Sequence, residues 1–298
     1  MKNWLIAALC LIVAGALLFT VPLAISGWDF GIFDSTDFQT EEHTVSEDFD
    51  NISIESGTAD IVFSPSEDGI CKVVCIDDVK FSYRVEVNNG TLEITLDKTQ
   101  KEWYEYISIV NYNSPKITIY LPKAEYSELF IDATTGDVKL PQNFSFENVD
   151  ITLSTGDAKV LASATKEIKI HVSTGMITLE NVTAETVSLS VSTGNTSVKN
   201  VTCTDFDSKG TTGELVLKDL IATNKITAER NTGDVSFESC DAADIFVETS
   251  TGEVTGTLLS GKDFYVTTST GDVNVPASSS GGICKITTST GDVNISCN

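Results

Sequence analysis

Apolar residues in the C-terminal half of this chain fall at fixed distances from nine glycines. These are Gly136, Gly156, Gly175, Gly194, Gly213, Gly233, Gly252, Gly271 and Gly291, spaced 19 or 20 residues apart. With each glycine as position 0, position +2 is apolar in Val138, Ile177, Leu215, Val235, Val254, Val273 and Val293. Position +4 is apolar in Leu140, Val160, Leu179, Val198, Leu217, Phe237, Val275 and Ile295, whereas +3 is polar in Lys139, Lys159, Thr178 and Asn274. Such alternation predicts a short strand with one buried face. Positions −7 and −5 carry apolar pairs such as Val149 and Ile151, Ile168 and Ile170, Val187 and Leu189, and Phe264 and Val266, predicting a second strand that runs into the glycine. A weaker third run places Val182, Val201 and Leu220 at +7 and the small residues Ala184, Cys203, Ala222 and Ala242 at +9, which suits a crowded inward corner.

Two or three strands per 19–20 residues make a coil that cannot bury its own apolar face; stacked neighbours bury it as a continuous core. The expected fold is therefore all-β, a single-stranded, β-helix-like solenoid of 19–20-residue rungs. At strand spacing nine rungs form a rod about 40 Å long. An antiparallel sandwich with regular turns is the competing architecture; the near-constant period and the matching inward positions favour the solenoid. The repeating unit reads Ser/Thr-Thr-Gly-Asp-Val. Its glycine answers a corner that needs positive φ or close backbone approach, and its threonine suits a strand end by β-branching.

Ahead of the repeats the chain divides into further segments. Residues 1–3 read as a cytosolic tail and 4–25 as a transmembrane anchor or a signal, because they are apolar, uncharged and about the length that crosses a bilayer. Lys2 precedes this stretch, while Asp29, Asp34, Asp37, Glu41 and Glu42 follow it, which puts the body outside the cytosol. The length favours a single-pass anchor retained in the cell membrane over a cleaved signal. Residues 26–44 read as a juxtamembrane linker, 45–127 as an irregular N-terminal β cap and 128–298 as the solenoid repeats. Within the cap, Tyr83-Arg84-Val85-Glu86-Val87 and Thr91-Leu92-Glu93-Ile94-Thr95-Leu96 flank Asn88-Asn89-Gly90, a hairpin signal. Ile52-Ser53-Ile54-Glu55-Ser56-Gly57 resembles a degenerate first turn. Trp103, Tyr104, Tyr106 and Tyr112 belong to cap packing or to a binding face.

Composition narrows the partners. The net charge is −24, from 43 acids against 19 Lys and Arg, with no basic run, which argues against nucleic acid. Beyond Cys10 the cysteines are Cys71, Cys75, Cys203, Cys240, Cys284 and Cys297. Cys71 and Cys75 lie four apart in a strand, too far to bridge, and Cys203, Cys240 and Cys284 fall where other repeats carry apolar residues. Buried thiols are the expectation. Asn-x-Ser/Thr sequons at Asn51, Asn89, Asn143, Asn181, Asn195, Asn200 and Asn294 are what chance supplies in a chain so rich in Ser and Thr.

The Ile-Thr-Ile-Tyr-Leu-Pro strand (117–122), followed by the repeated Ser/Thr-Thr-Gly-Asp-Val turns, resembles the bacterial putative-adhesin domain family over roughly residues 45–298. That is a domain of unknown function built of β-strand repeats, often behind one membrane helix. The resemblance implies a cell-surface, adhesin-like protein, with an association to envelope-stress responses, and brings no catalytic residues or cofactors. The pattern departs from the family's at Met176, where the acid is replaced, and at Gly256, where the apolar +4 residue is missing.

The acids at +1 are the candidate chemistry: Asp137, Asp157, Glu214, Asp234, Glu253, Asp272 and Asp292. In register they form a carboxylate ladder. Aspartate in this position accepts backbone hydrogen bonds in turns, which is the expected role. As calcium ligands the candidates are Asp234, Glu253, Asp272 and Asp292, since calcium takes several oxygens. His43 falls in the linker and His171 at an outward strand position. No nucleophile elbow, phosphate loop or zinc-protease motif is present. The expected function is a non-catalytic surface binding or structural protein, anchored to the membrane, with a surface protein or glycan as its ligand. A regulatory envelope-stress component and a carbohydrate-active β-helix enzyme are the alternatives.

Overall fold

The computed structural model describes residues 38–78, 82–97, 115–122, 125–278 and 281–297. The apolar segment 4–25, and with it the expected transmembrane helix, lies outside the described residues, as do Trp103, Tyr104, Tyr106 and Tyr112. Among the described residues no helix is long and apolar enough to cross a membrane.

Among the described residues twenty-two strands form one continuous sheet. The N-terminal part holds β1 (Phe38–Val45), β2 (Asn51–Ser56), β3 (Asp60–Pro65), β4 (Cys71–Asp78), β5 (Tyr83–Asn88), β6 (Thr91–Leu96) and β7 (Lys116–Leu121). The repeats begin with β8 (Glu125–Thr135), β9 (Val138–Leu140), β10 (Ser145–Thr155), β11 (Ala158–Val160), β12 (Ser163–Thr174), β13 (Ile177–Thr183) and β14 (Thr186–Thr193). They continue through β15 (Thr196–Thr212), β16 (Leu215–Thr232), β17 (Val235–Thr251), β18 (Val254–Leu258), β19 (Asp263–Thr270), β20 (Val273–Asn274), β21 (Ile283–Thr290) and β22 (Val293–Cys297).

The repeats are parallel and in register, as a solenoid requires. Leu129, Val149 and Ile168 form one column, and Ile131, Ile151, Ile170 and Leu189 another. Most members of these columns are fully buried, so each coil supplies one layer of a core that runs along the stack. The nine glycine corners enclose about eight turns. A tenth unit precedes them. Ile52 pairs with Leu129, Ile54 with Ile131 and Ile61 with Val138, which puts Ala59 in the glycine column and Asp60 in the acid column.

The coils do not stack in chain order at either end. At the N-terminal end β2 lies between β6 and β8, parallel to both, and β3 lies between β7 and β9. At the other end β21 pairs with β17 on one side and β19 on the other, while β22 lies between β18 and β20. The coil of residues 283–297 is thus inserted ahead of the coil of residues 263–274. Lys262 secures this crossover. Its side chain is only 2% exposed, and its Nζ lies 2.8 Å from Asp241 Oδ1, 2.6 Å from the Ala242 carbonyl, 2.7 Å from Ser260 Oγ and 3.1 Å from the Gly281 carbonyl. One ammonium therefore ties the β17 coil to the segment that re-enters as β21. Burial pushes the Asp241 carboxyl up, but bonds from Lys262 and Ser260 outweigh this and leave it below the ordinary carboxylate value.

The N-terminal edge is covered by antiparallel strands: β5 on β6, β4 on β7 and β1 on β4. The expected hairpin joins β5 to β6 through Asn89 and Gly90, both at positive φ. Strand β1 begins inside the segment read as a linker and carries His43 with it.

A second corner recurs at +6, where Asn181, Asn200, Asp219 and Ser239 have φ of 51–57°. Asparagine and aspartate tolerate this left-handed conformation better than other non-glycine residues. The sequons at Asn181 and Asn200 are therefore corner chemistry, not chance: asparagine turns the chain, the next valine enters the core, and Asn200 Nδ2 donates to Asn181 Oδ1 at 2.8 Å. The six cysteines among the described residues are free, and all but Cys297 are buried. Burial pushes the Cys71, Cys75, Cys203 and Cys284 thiols up to about 12.

A second buried cation stands among the core columns. Arg230, 2% exposed, stands at an inward position and lies against Gly210 of the neighbouring coil. Its Nη1 donates to the Ser208 carbonyl at 3.1 Å and its Nη2 to Ser208 Oγ at 2.9 Å. A Cβ on Gly210 would stand 2.8 Å from Arg230 Cδ, so the glycine makes the room that the arginine fills. Burial lowers the guanidinium pKa to about 10, against the opposing pull of Asp207.

Candidate functional site: the Thr-Gly-Asp corner

Each corner is built by backbone contact between coils. A Cβ on Gly213 would overlap the Gly194 carbonyl oxygen, and one on Gly156 the Gly136 carbonyl oxygen; both glycines also have φ of 131–137°. From Thr155 onward, the threonine carbonyl before the glycine accepts from the glycine N–H of an adjacent coil, as in Gly213 N–H to Thr232 O at 2.9 Å. The column is therefore closed to side chains by both conformation and contact.

The residue at +1 links the coils a second time. Asp60 Oδ1 accepts from Asp137 N–H at 2.9 Å, Asp137 from Asp157 at 2.9 Å and Asp157 from Met176 at 2.8 Å. Asn195 accepts from Glu214 at 3.0 Å, Asp234 from Glu253 at 2.8 Å and Asp292 from Asp272 at 2.8 Å. Met176, Glu214 and Glu253 extend no such bond among the described residues. The reach of a one-methylene side chain decides whether the link forms, and Asn195 forms it without a charge. The ladder side chains thus accept backbone hydrogen bonds, but from the adjacent coil rather than from within their own turn.

The sequence-derived calcium candidates stack in the order Asp234, Glu253, Asp292, Asp272, because of the inserted coil. Asp234 and Asp292 each spend one oxygen on a backbone N–H. Among the described residues no group of three or more His, Cys, Asp or Glu side chains is arranged to hold a metal ion. Both departures from the repeat are accommodated. Met176 keeps its corner with an exposed side chain, and Gly256, at φ 138°, lies where a Cβ would overlap the Phe237 carbonyl oxygen. The +4 gap is thus a close backbone approach.

An acceptor role has a direct consequence. Asp157→Asn should leave stability within about 0.5 kcal/mol of the parent, whereas Asp157→Ala should cost about 1 kcal/mol by freeing the Met176 N–H. Urea denaturation of both variants checks this. Equal losses from the two would mean that charge, not the acceptor, matters.

Outside the corner the surface consists of the outward columns themselves. Ser190, Lys209, Glu229 and Glu248 form one column and Ser192, Thr211, Asn231 and Ser250 the next, with an open groove of about 290 Å3 between them. Lys209 pairs with Glu229 at 3.3 Å across adjacent coils, and Lys169 with Asp150 at 2.8 Å.

A known family matches the sequence over residues 49–226 and again over 216–298, which is most of the solenoid. The chain belongs to the Toastrack DUF4097 family. No curated protein matches this Toastrack chain. Its fold is similar to the crystal structure of a putative adhesin from Parabacteroides distasonis ATCC 8503, at 13% identity over 88% of this chain and 98% of that one, with a TM-score of 0.51. Similarity extends to a putative adhesin from Bacteroides fragilis NCTC 9343, at 15% identity over 88% of this chain and 98% of that one, with a TM-score of 0.49. A putative lipid-binding protein from Parabacteroides distasonis ATCC 8503 shares 17% identity over 74% of this Toastrack chain and 96% of its own, with a TM-score of 0.41. At 13% identity the likeness to the first of these bears on the fold alone.

Proposed function

We propose that this protein is a membrane-anchored, extracytoplasmic β-solenoid that serves as an adhesin-like surface binding or structural protein. The observation that carries this reading is the exposed surface. Its outward columns repeat from coil to coil at strand spacing, which gives an extended, redundant contact face. A surface protein or glycan is the class of ligand that such a face suits. The adhesin name borne by solved relatives points the same way. Anchoring rests on the apolar residues 4–25, with Lys2 before them and acids after them.

Protease added to intact protoplasts expressing the full chain should digest the body while cytosolic controls survive. A body that stays protected would overturn the extracytoplasmic reading.

A further inference from the structure

Among the described residues one end of the stack is covered and the other is open. At the N-terminal end the outermost coil strands β6 and β7 carry antiparallel partners, β5 and β4. At the opposite end β19 and β20 pair on one side only, with β21 and β22. At this end Val273, in the inward +2 column, is 47% exposed, and Phe264, Val266 and Val275 complete the core only in part. Phe264 N–H faces this open side, where Ser278 Oγ accepts from it at 3.3 Å. By strand alternation Val266 and Thr268 turn their backbone groups the same way, and no strand lies beside them among the described residues.

We propose that this open edge joins two copies of the chain, with β19 of one pairing antiparallel to β19 of the other. Three observations select a second copy as the occupant. The fold covers its other end with antiparallel strands, and a two-fold axis across the edge makes two β19 strands antiparallel by symmetry. From Asp263 to Val275 the only charges are Asp263 and Asp272, one at the start of β19 and one beyond its end, so the two copies meet with less like-charge opposition than the chain's net charge of −24 would otherwise bring. The exposed strand is rich in β-branched and aromatic residues and has no lysine or proline to block edge pairing. Because β1 lies at the covered end, the open edge is distal to an N-terminal anchor. Pairing would then join proteins on facing membranes tip to tip; this last step rests on the anchored reading above.

The test separates the two. Sedimentation of the detergent-solubilised full chain should show a monomer–dimer equilibrium. Val266→Pro removes an edge N–H that no strand uses, and Val273→Glu adds a second acid beside Asp272 to the open end of each copy. Each should weaken dimerisation at least tenfold without changing the circular dichroism spectrum. A monomer at the highest concentrations, or dimers untouched by both substitutions, would overturn the pairing. Full chain reconstituted into two populations of labelled phosphatidylcholine vesicles should tether them. Dimers in solution without tethering would leave the edge pairing in place and remove its adhesive use.

Discussion

Gly213→Ala should destabilise the solenoid by about 3–5 kcal/mol, as left-handed strain adds to overpacking against fixed backbone. The added methyl would overlap the Gly194 carbonyl oxygen, which belongs to a coil held on both sides and has no rotamer to yield. Positive φ alone would cost less, and flexible side-chain neighbours would relax. Ala59 shows the contrast: it holds the same column without a positive φ. Damage should centre on the Gly194, Gly213 and Gly233 corners, since coils contact only their neighbours. Hydrogen exchange checks this, with protection expected to fall in β14 to β17 and to persist in β8 to β11. A variant as stable as the parent would show that the corner is not closed by contact.

Lys262→Met should cost a further class of stability, about 3–5 kcal/mol, because it strands a partly buried carboxylate and several carbonyls whose only shared partner was the ammonium. The loss should appear as early exchange in β19 to β22, with β8 to β14 unaffected. The parent should also be pH-sensitive there. The Asp241 carboxyl is depressed in the folded state, so the stability it contributes is present above the unfolded carboxylate pKa and fades as pH falls through the folded value. In the methionine variant that acid-side loss should largely vanish. Unchanged exchange in β19 to β22 would mean that the crossover is held by strand pairing alone.

The parts of this fold that were legible in the sequence are those written in local chemistry. Glycine at a left-handed, contact-closed corner and alternating apolar positions beside it leave a periodic trace, and both the register and most of the buried columns follow from it. That the +1 acids accept backbone hydrogen bonds was legible for the same reason, but not that those bonds cross to the adjacent coil. The second corner was less so, because left-handed φ there is met by Asn181, Asn200, Asp219 and Ser239 in turn, and only the two asparagines repeat. Ala59 hid the first unit by breaking the glycine pattern. The swapped order of coils was invisible. Residues 267–274 and 287–294 have the same sequence, Thr-Thr-Ser-Thr-Gly-Asp-Val-Asn, so the repeat cannot say which lies inside. Lys262 alone marked the crossover, and a single lysine beside Gly261 reads as surface until its partners are known.

That swapped order bears on how the protein is made. A solenoid whose coils stack in the order of synthesis can grow as the chain leaves the ribosome, each new coil adding to a finished edge. Here the edge formed by β17 and β18 must wait. Residues 263–274 appear first, yet they belong one layer farther out, and their proper seat does not exist until residues 283–297 have emerged and taken the layer between. Residues 267–274 match 287–294, so nothing in their own sequence directs either segment to its layer. Completion of this end accordingly waits for residues 283–297, whereas the coils from β8 to β17 can mature one after another as they appear.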